Sequence, residues 1–305
     1  MALAPIALFV YNRLDHTERT VAALRLNELA ADSDLIIFSD AAKNEAAAAG
    51  VQAVRAYLKG IAGFRSVRIV ERPTNLGLAA SIIGGVTEIV GQYGKIIVLE
   101  DDLETSPYFL RYMNEALDLY DRVSEVISIH AYVYPVRRPL PESFFLRGAD
   151  CWGWATWRRG WDLFEADGRK LLAELQERRL SREFDLDGSY PYTQMLRGQI
   201  KGFNNSWAIR WHAAAFLRGK LTLYPGRSLV ANTGFDHSGT HAGKTKSFYA
   251  PPSTQPVAVQ SRPLLADAAA RAAVVSFFRS PRLRLLVGFI RLKFYARMLR
   301  WRFKN

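Results

Sequence analysis

Lys95-Ile96-Ile97-Val98-Leu99-Glu100-Asp101-Asp102 runs an apolar β-type segment straight into three carboxylates. Continuous branched apolar residues are the pattern of a strand buried on both faces, as in a parallel sheet. Open α/β sheets take ligands in the crevice beyond the carboxyl ends of such strands. Three acids at that point repel one another. A hard divalent ion, Mn²⁺ or Mg²⁺, relieves the conflict, because it prefers carboxylate oxygens and keeps positions open for phosphates. The plain alternative is an acidic turn before a helix begun around Thr105-Ser106-Pro107, since carboxylates favour helix N-termini. The run alone leaves the two readings balanced.

The pattern spreads in both directions from this strand. Upstream, residues 5–11, 34–38 and 67–70 read as strands. The intervening helices are expected after Asp15 as N-cap, with Val21, Leu24 and Leu29 as apolar stripe, then over 45–58 and 78–92. Downstream, a helix over 108–120 and a strand over 126–129 follow. Strands alternating with helices predict an α/β fold with a mostly parallel sheet and crossover connections. Further on, helices are expected over 190–196 and 206–217 and a strand over 221–224. This divides the chain into a nucleotide-binding half (1–103), an acceptor half (104–248), a linker containing Pro251, Pro252, Pro256 and Pro263 (249–263), and a tail (264–305).

Composition narrows the function classes. The 305 residues are 49% hydrophobic, enough for a large core. Cys151 is the only cysteine, which excludes an internal disulfide and a cysteine-rich zinc site and makes a reducing, cytoplasmic compartment the default. The first apolar run lacks a preceding basic segment and is too short for a membrane span, so it reads as a strand and not a signal peptide. Formal charge is +12, yet ten basic residues and no acid follow Asp267. Removing them leaves about +2 for the rest. Neither a Gly-x-Gly-x-x-Gly turn after the first strand nor a Walker lysine loop is present, which argues against a dinucleotide oxidoreductase and a P-loop NTPase.

A second acid, Asp40, follows the strand over 34–38. It would meet a base or ribose beyond that strand end, or simply cap the next helix, and spacing favours the cap. Taken together, residues 5–13, Ser39-Asp40, residues 98–104 and Pro107-Tyr108-Phe109 resemble the N-acetylglucosaminyltransferase I family and its bacterial relatives among the family 2-like glycosyltransferases. The resemblance covers roughly the first half of the chain. It implies the GT-A fold, a nucleotide-sugar donor and a metal held at a DxD-type motif, here Glu-Asp-Asp. By position it assigns Asp102 to the metal, Glu100 and Asp101 to ribose and donor sugar, Asp40 to a uracil-like base, and Asn12 and Arg13 to the donor side.

The segment from Arg147 to Trp157 resembles the loop between donor and acceptor sites in the bacterial relatives. Indole rings stack on the apolar faces of sugars, so Trp152 and Trp154, beside Gly153, are acceptor candidates. Trp157 and Trp161 read as core. Transfer with inversion needs a general base for the acceptor hydroxyl. The segment that carries it in N-acetylglucosaminyltransferase I matches Phe203-Asn204-Asn205-Ser206-Trp207, which has no acid, so Asp150 becomes the first candidate and Asp236 the second. That missing acid also keeps open a non-enzymatic glycan-binding protein of the same fold. His241, in a glycine-rich loop, resembles the late histidine of the metal site, whereas His16, His130 and His212 read as structural.

The tail carries two apolar faces on one helix: Leu283, Val287, Ile290, Phe294, Met298 and Trp301 on one side, Leu285, Phe289, Leu292, Leu299 and Phe303 on the other. Basic residues fill the borders. One face is expected on the body and the other in an anionic membrane, placing the protein peripherally on the cytoplasmic membrane face with a glycan or lipid-linked acceptor. Nucleic acid is not expected, because phosphate binding alone does not call for so many large apolar residues.

Overall fold

Strand β1 (Ile6–Val10) is buried along its whole length and passes through Asn12 and Arg13 into helix α1 (Leu14–Arg25). The computed structural model describes residues 2–236 and 245–302. The chain continues as β2 (Asp34–Ser39), α2 (Glu45–Leu58), β3 (Ser66–Glu71), α3 (Leu78–Tyr93) and β4 (Lys95–Glu100). Then come β5 (Leu103–Thr105), α4 (Phe109–Leu119), β6 (Val126–His130), β7 (Ser143–Arg147), β8 (Trp154–Trp157) and the short α5 (Arg158–Trp161). Helices α6 (Gly168–Glu177), α7 (Ser181–Phe184), α8 (Tyr192–Ile200) and α9 (Trp207–Leu217) lead to β9 (Leu221–Pro225) and β10 (Val230–Asn232). Two helices, α10 (Ala268–Phe278) and α11 (Pro281–Arg302), end the chain.

Among the described residues one eight-stranded sheet has the order β3-β2-β1-β4-β8-β6-β9-β7. Strands β1 to β4, β6 and β9 run one way; β8, inserted between β4 and β6, and β7 at the edge run the other. The chain winds outward from β1 to β3 and then returns to lay β4 beside β1, with Ile6 opposite Ile97. That reversal is a topological switch point, the place where such sheets bind ligands. It puts Asn12 and Arg13 next to Glu100, Asp101 and Asp102.

Period-two alternation sorts the core into two layers. Ile6, Leu8, Ile97 and Leu99 face one layer, packed under α1 and α4. Ala7, Phe9, Ile96 and Val98 face the other, which α3 and α9 cover. At Gly85 of α3 an added Cβ would come within 2.8 Å of the Phe9 ring, so this glycine sets how closely the helix approaches the sheet.

Several expectations change. Asp15 does not cap α1; the helix starts two residues earlier than that cap would set, at Leu14 after Arg13, and Asp15 lies in its first turn, where its charge still suits the helix dipole. Strands β7 and β8 were not expected, because their aromatic residues carry no alternation to read: all four residues of β8 are buried. The stretch 249–263 lies packed along the body. Ser106 Oγ donates to Ser253 O (2.6 Å), Tyr120 Oη donates to Gln260 O (3.0 Å), and Val257 is buried. Helix α10 likewise buries Ala270, Ala273, Val274 and Phe278.

Candidate active site

The three acids at the end of β4 are separated by their surroundings. Arg13 bonds both oxygens of Asp101 and reaches Asp102 Oδ2 at 2.8 Å. Burial opposes the charge on Arg13, but the two carboxylates outweigh it and hold the guanidinium firmly protonated. Burial raises Asp101 to about 6 against the pull of Arg13, with Asp102 adding to the rise. Glu100 is pushed up to about 8 by burial and by repulsion from Asp102 and Asp101, which outweigh the pull of Arg13. Two groups whose protonation is driven apart on adjacent residues are the mark of a site built for charge.

A two-stranded ribbon closes the site from the other end of the sequence. β10 pairs antiparallel with β5, Asn232 opposite Leu103, and the chain beyond it crosses the acids. The amide of Thr233 donates to Asp102 O (2.9 Å). Gly234 passes so close that a Cβ there would meet Asp102 Oδ2 at 2.2 Å, which any larger residue would displace. His16, buried in α1, has Nε2 3.0 Å from Asp236 Oδ2 and Nδ1 3.0 Å from the Arg19 guanidinium. Since Arg19 can only donate, Nδ1 accepts and Nε2–H donates to Asp236. Nothing in the sequence joins them, since His16 and Asp236 stand 220 positions apart and His16 by itself reads as structural.

Asp40 occupies the neighbouring strand end and is buried. Its carboxylate accepts from the amides of Ala41 (2.9 Å), Leu76 (2.9 Å) and Gly77 (2.8 Å) and from Asn75 Nδ2 (3.0 Å). Four bonds fill the lone-pair sites of a carboxylate. Asp40 therefore holds the loop that opens α3, and a direct bond to a base, expected from the resemblance, would have to displace one of these.

In the loop before β8, Asp150 Oδ2 accepts from Tyr224 Oη at 2.7 Å. His130 is buried nearby, and burial lowers it to about 4, so the ring is neutral. Its Nδ1 donates to Tyr132 O (2.9 Å) while Nε2 accepts from the amide of Trp152 (3.1 Å). Trp152 is half-buried and meets Tyr132, Phe235 and Phe248 edge-on. Trp154 corrects the sequence reading. It is wholly enclosed, packed on Trp161, Trp207 and Trp211 in the opposite layer; residues two apart on a strand would share a face, but Trp152 precedes β8 and Gly153, at φ +65°, turns the chain between them. It cannot touch an acceptor. Trp157 and Trp161 are buried, as expected.

Burial and the charges of Glu100, Asp150 and Asp102 together push the Cys151 thiol well above its ordinary value. Val98 of β4 pairs with Trp154 of β8, so the loop from Asp150 to Gly153 runs beside the end of β4. Asn205, where an acid was sought, is exposed after α8. His241 lies outside the described residues. Among the described residues no group of three His, Cys, Asp or Glu side chains is set to enclose a metal. Asp102, with Asp101 beside it, instead fits a Mg²⁺- or Mn²⁺-type ion held by one or two carboxylates and shared with phosphates.

A mostly parallel, helix-flanked sheet with acids at its switch point is the GT-A arrangement. Residues 6–169, more than half of the chain, match glycosyl transferase family 2, and the chain belongs to that family. The narrower likeness to N-acetylglucosaminyltransferase I is not part of that match. No curated protein matches the chain. Among solved structures, the mannosyltransferase PcManGT from Pyrobaculum calidifontis in complex with GDP-Man and Mn²⁺ is 13% identical, with 45% of this chain and 36% of that one covered and a TM-score of 0.33. S. aureus TarS 1-349 is 11% identical, with 48% and 41% covered and a TM-score of 0.31. The same TarS fragment in complex with UDP is 12% identical, with 47% and 40% covered and a TM-score of 0.31. The chain spans less than half the length of each.

Proposed function

We propose that the protein transfers a sugar from a nucleoside diphosphate donor, UDP-linked, to a hydroxyl of a glycan or lipid-linked acceptor. The donor's diphosphate lies at the ends of β1 and β4, where Asp102 would hold a Mn²⁺ or Mg²⁺ ion. Such an ion, when bound, neutralises charge on the leaving diphosphate. Asn12, Arg13, Glu100 and Asp101 frame ribose and sugar, and Asp40 acts through the loop it holds. Asp150 takes the proton from the acceptor hydroxyl as it attacks the anomeric carbon, which makes the transfer inverting, and Trp152 offers a ring to the acceptor sugar. Asp236, tied to His16, is the second candidate for the base.

The observation that carries this reading is the register of β4 with β8: Val98 lies opposite Trp154, so the loop bearing Asp150 and Trp152 leaves the sheet at the strand end that carries Glu100, Asp101 and Asp102. Direct displacement needs a donor site and a base side by side. The setting we propose is surface polysaccharide assembly on the cytoplasmic membrane face.

The test is a panel of nucleotide sugars screened by thermal shift with and without Mn²⁺, on the parent protein and on Asp102→Asn. A UDP-sugar should raise the melting temperature of the parent in a Mn²⁺-dependent way, since a ligand that binds the folded state stabilises it. Asp102→Asn, which keeps shape and removes charge, should melt normally and lose that Mn²⁺ dependence. A variant with the full shift refutes the assignment of Asp102.

A further inference from the structure

Helix α11 presents two apolar stripes to two different environments. At about 100° per residue, Leu283, Val287, Ile290 and Phe294 share one side. Leu283 and Val287 are buried, and Phe294 packs on Phe203, 5.9 Å between rings. On the opposite side, within an arc of about 60°, lie Leu285, Phe289 and Leu292, which are 69%, 63% and 66% exposed. Tyr295, 61% exposed, borders them. Arg282 and Arg284 flank the stripe and are exposed. The helix is not a loose tail. Arg291 donates to Gly188 O (2.9 Å) and Arg297 to Phe203 O (3.0 Å), and α10 is tied to the same region by Arg271, bidentate on Asp187 at 2.7 and 2.9 Å.

We infer that the exposed stripe of α11, Leu285, Phe289 and Leu292 with Arg282 and Arg284 at its border, is a rigid docking face for an anionic lipid surface. Large apolar side chains left in water at successive turns of one helix need an apolar partner. The charge beside them selects which. Ten basic residues and no acid follow Asp267, so the face suits phosphate headgroups above acyl chains, with arginine stems lying along the apolar surface and their heads in the headgroup layer. Among the described residues no helix is long and apolar enough to cross a membrane, so the contact lies in the interface. This gives the proposed membrane setting its contact surface, and it stands whether or not the donor assignment is right.

Cosedimentation of the full chain with phosphatidylcholine vesicles containing phosphatidylglycerol, and with phosphatidylcholine alone, tests it. The parent protein should bind the anionic vesicles, more weakly as salt rises and the charges are screened, and bind neutral vesicles poorly. Each apolar side chain that enters lipid is worth about one order of magnitude. Leu285→Gln, Phe289→Gln and Leu292→Gln together should therefore lower partition at least about a hundredfold while melting is unchanged, as the sites are exposed. Arg282→Gln with Arg284→Gln should reduce the preference for anionic vesicles and leave weak neutral binding alone. Equal sedimentation of parent and triple variant overturns the inference. So does a parent that fails to bind vesicles but forms a dimer lost in the triple variant, or one that binds duplex DNA and no vesicle.

Discussion

Replacing Asp40 by alanine separates two roles that the sequence could not. In the structure its carboxylate accepts from Ala41, Leu76 and Gly77 amides and from Asn75 Nδ2. Asn75 Nδ2 keeps a second partner, Ala41 O at 2.7 Å, so the loss falls mainly on the three amides. Gly77, at φ +75°, is the residue from which α3 starts, so the bonds fix that helix's entry. A hydrogen bond to a charged group contributes about 1.5–3 kcal/mol. Leu76 is 44% exposed, so water can reach part of the vacated site, and the expected total is about 3 kcal/mol. With about 2.1 cal/mol/K of unfolding entropy per residue over 305 residues, 1 kcal/mol corresponds to about 1.6 °C, and Asp40→Ala should melt about 5 °C lower. Asp40→Asn should fare little better, since one of its two groups would point an N–H at other donors. Calorimetric melting of the free protein measures this, and titration with UDP measures the site separately. An Asp40→Ala protein that melts within a degree of the parent yet loses UDP affinity would refute the loop-holding argument and restore direct base contact.

Asp150→Asn should lower turnover at least about a hundredfold with little change in donor affinity, the scale of a lost general base; a collapse of donor affinity instead would make Asp150 a donor ligand and promote Asp236. Glu100 has a folded value of about 8 against an ordinary 4.5, so its contribution to stability is fully present below about pH 4.5 and is lost as pH rises through about 8. Glu100→Gln should remove that loss and gain on the metal-free parent by at most about 5 kcal/mol above pH 8; parallel stability profiles in urea from pH 4 to 9 would contradict it. Removing α11 alone, after Ser280, should leave a folded protein that binds donor, whereas removal after Pro263 also strips α10 from Tyr134 and Tyr190, which pack on Phe278 at 4.9 and 4.6 Å, and should yield an unstable or aggregating chain by the same melting assay.

The first half of the fold was legible because most of its strands are apolar runs separated by helices of ordinary length, whereas the acids at the end of β4 pointed to a metal only with the family resemblance beside them. The acceptor half was harder. β8 and the loop before it place Trp152 and Trp154 on opposite faces of a sheet, and two tryptophans around one glycine look alike until the register is known. The tail's double stripe was readable from helical spacing, but the packing of 249–263 was not. Its bonds to Ser106, Tyr120 and Ser228 use backbone groups, which leave no mark in a sequence. His16 was missed for a similar reason, since Thr233 and Asp236 come from a segment more than two hundred positions away and Arg19, on the next turn of α1, is an ordinary helix neighbour.

The closing of the proposed donor site by Thr233 and Asp236 has a consequence for how the molecule is made. Thr233 reaches Asp102 across 131 positions and His16 reaches Asp236 across 220. Contacts of such long range form late, because chain entropy opposes them until the intervening structure exists. The strands bearing the acids can assemble first, with Arg13 from the neighbouring connection already at hand to offset them. On the ribosome, the sheet that presents Glu100, Asp101 and Asp102 would stand complete on one side while the segment that finishes the pocket is still being synthesised.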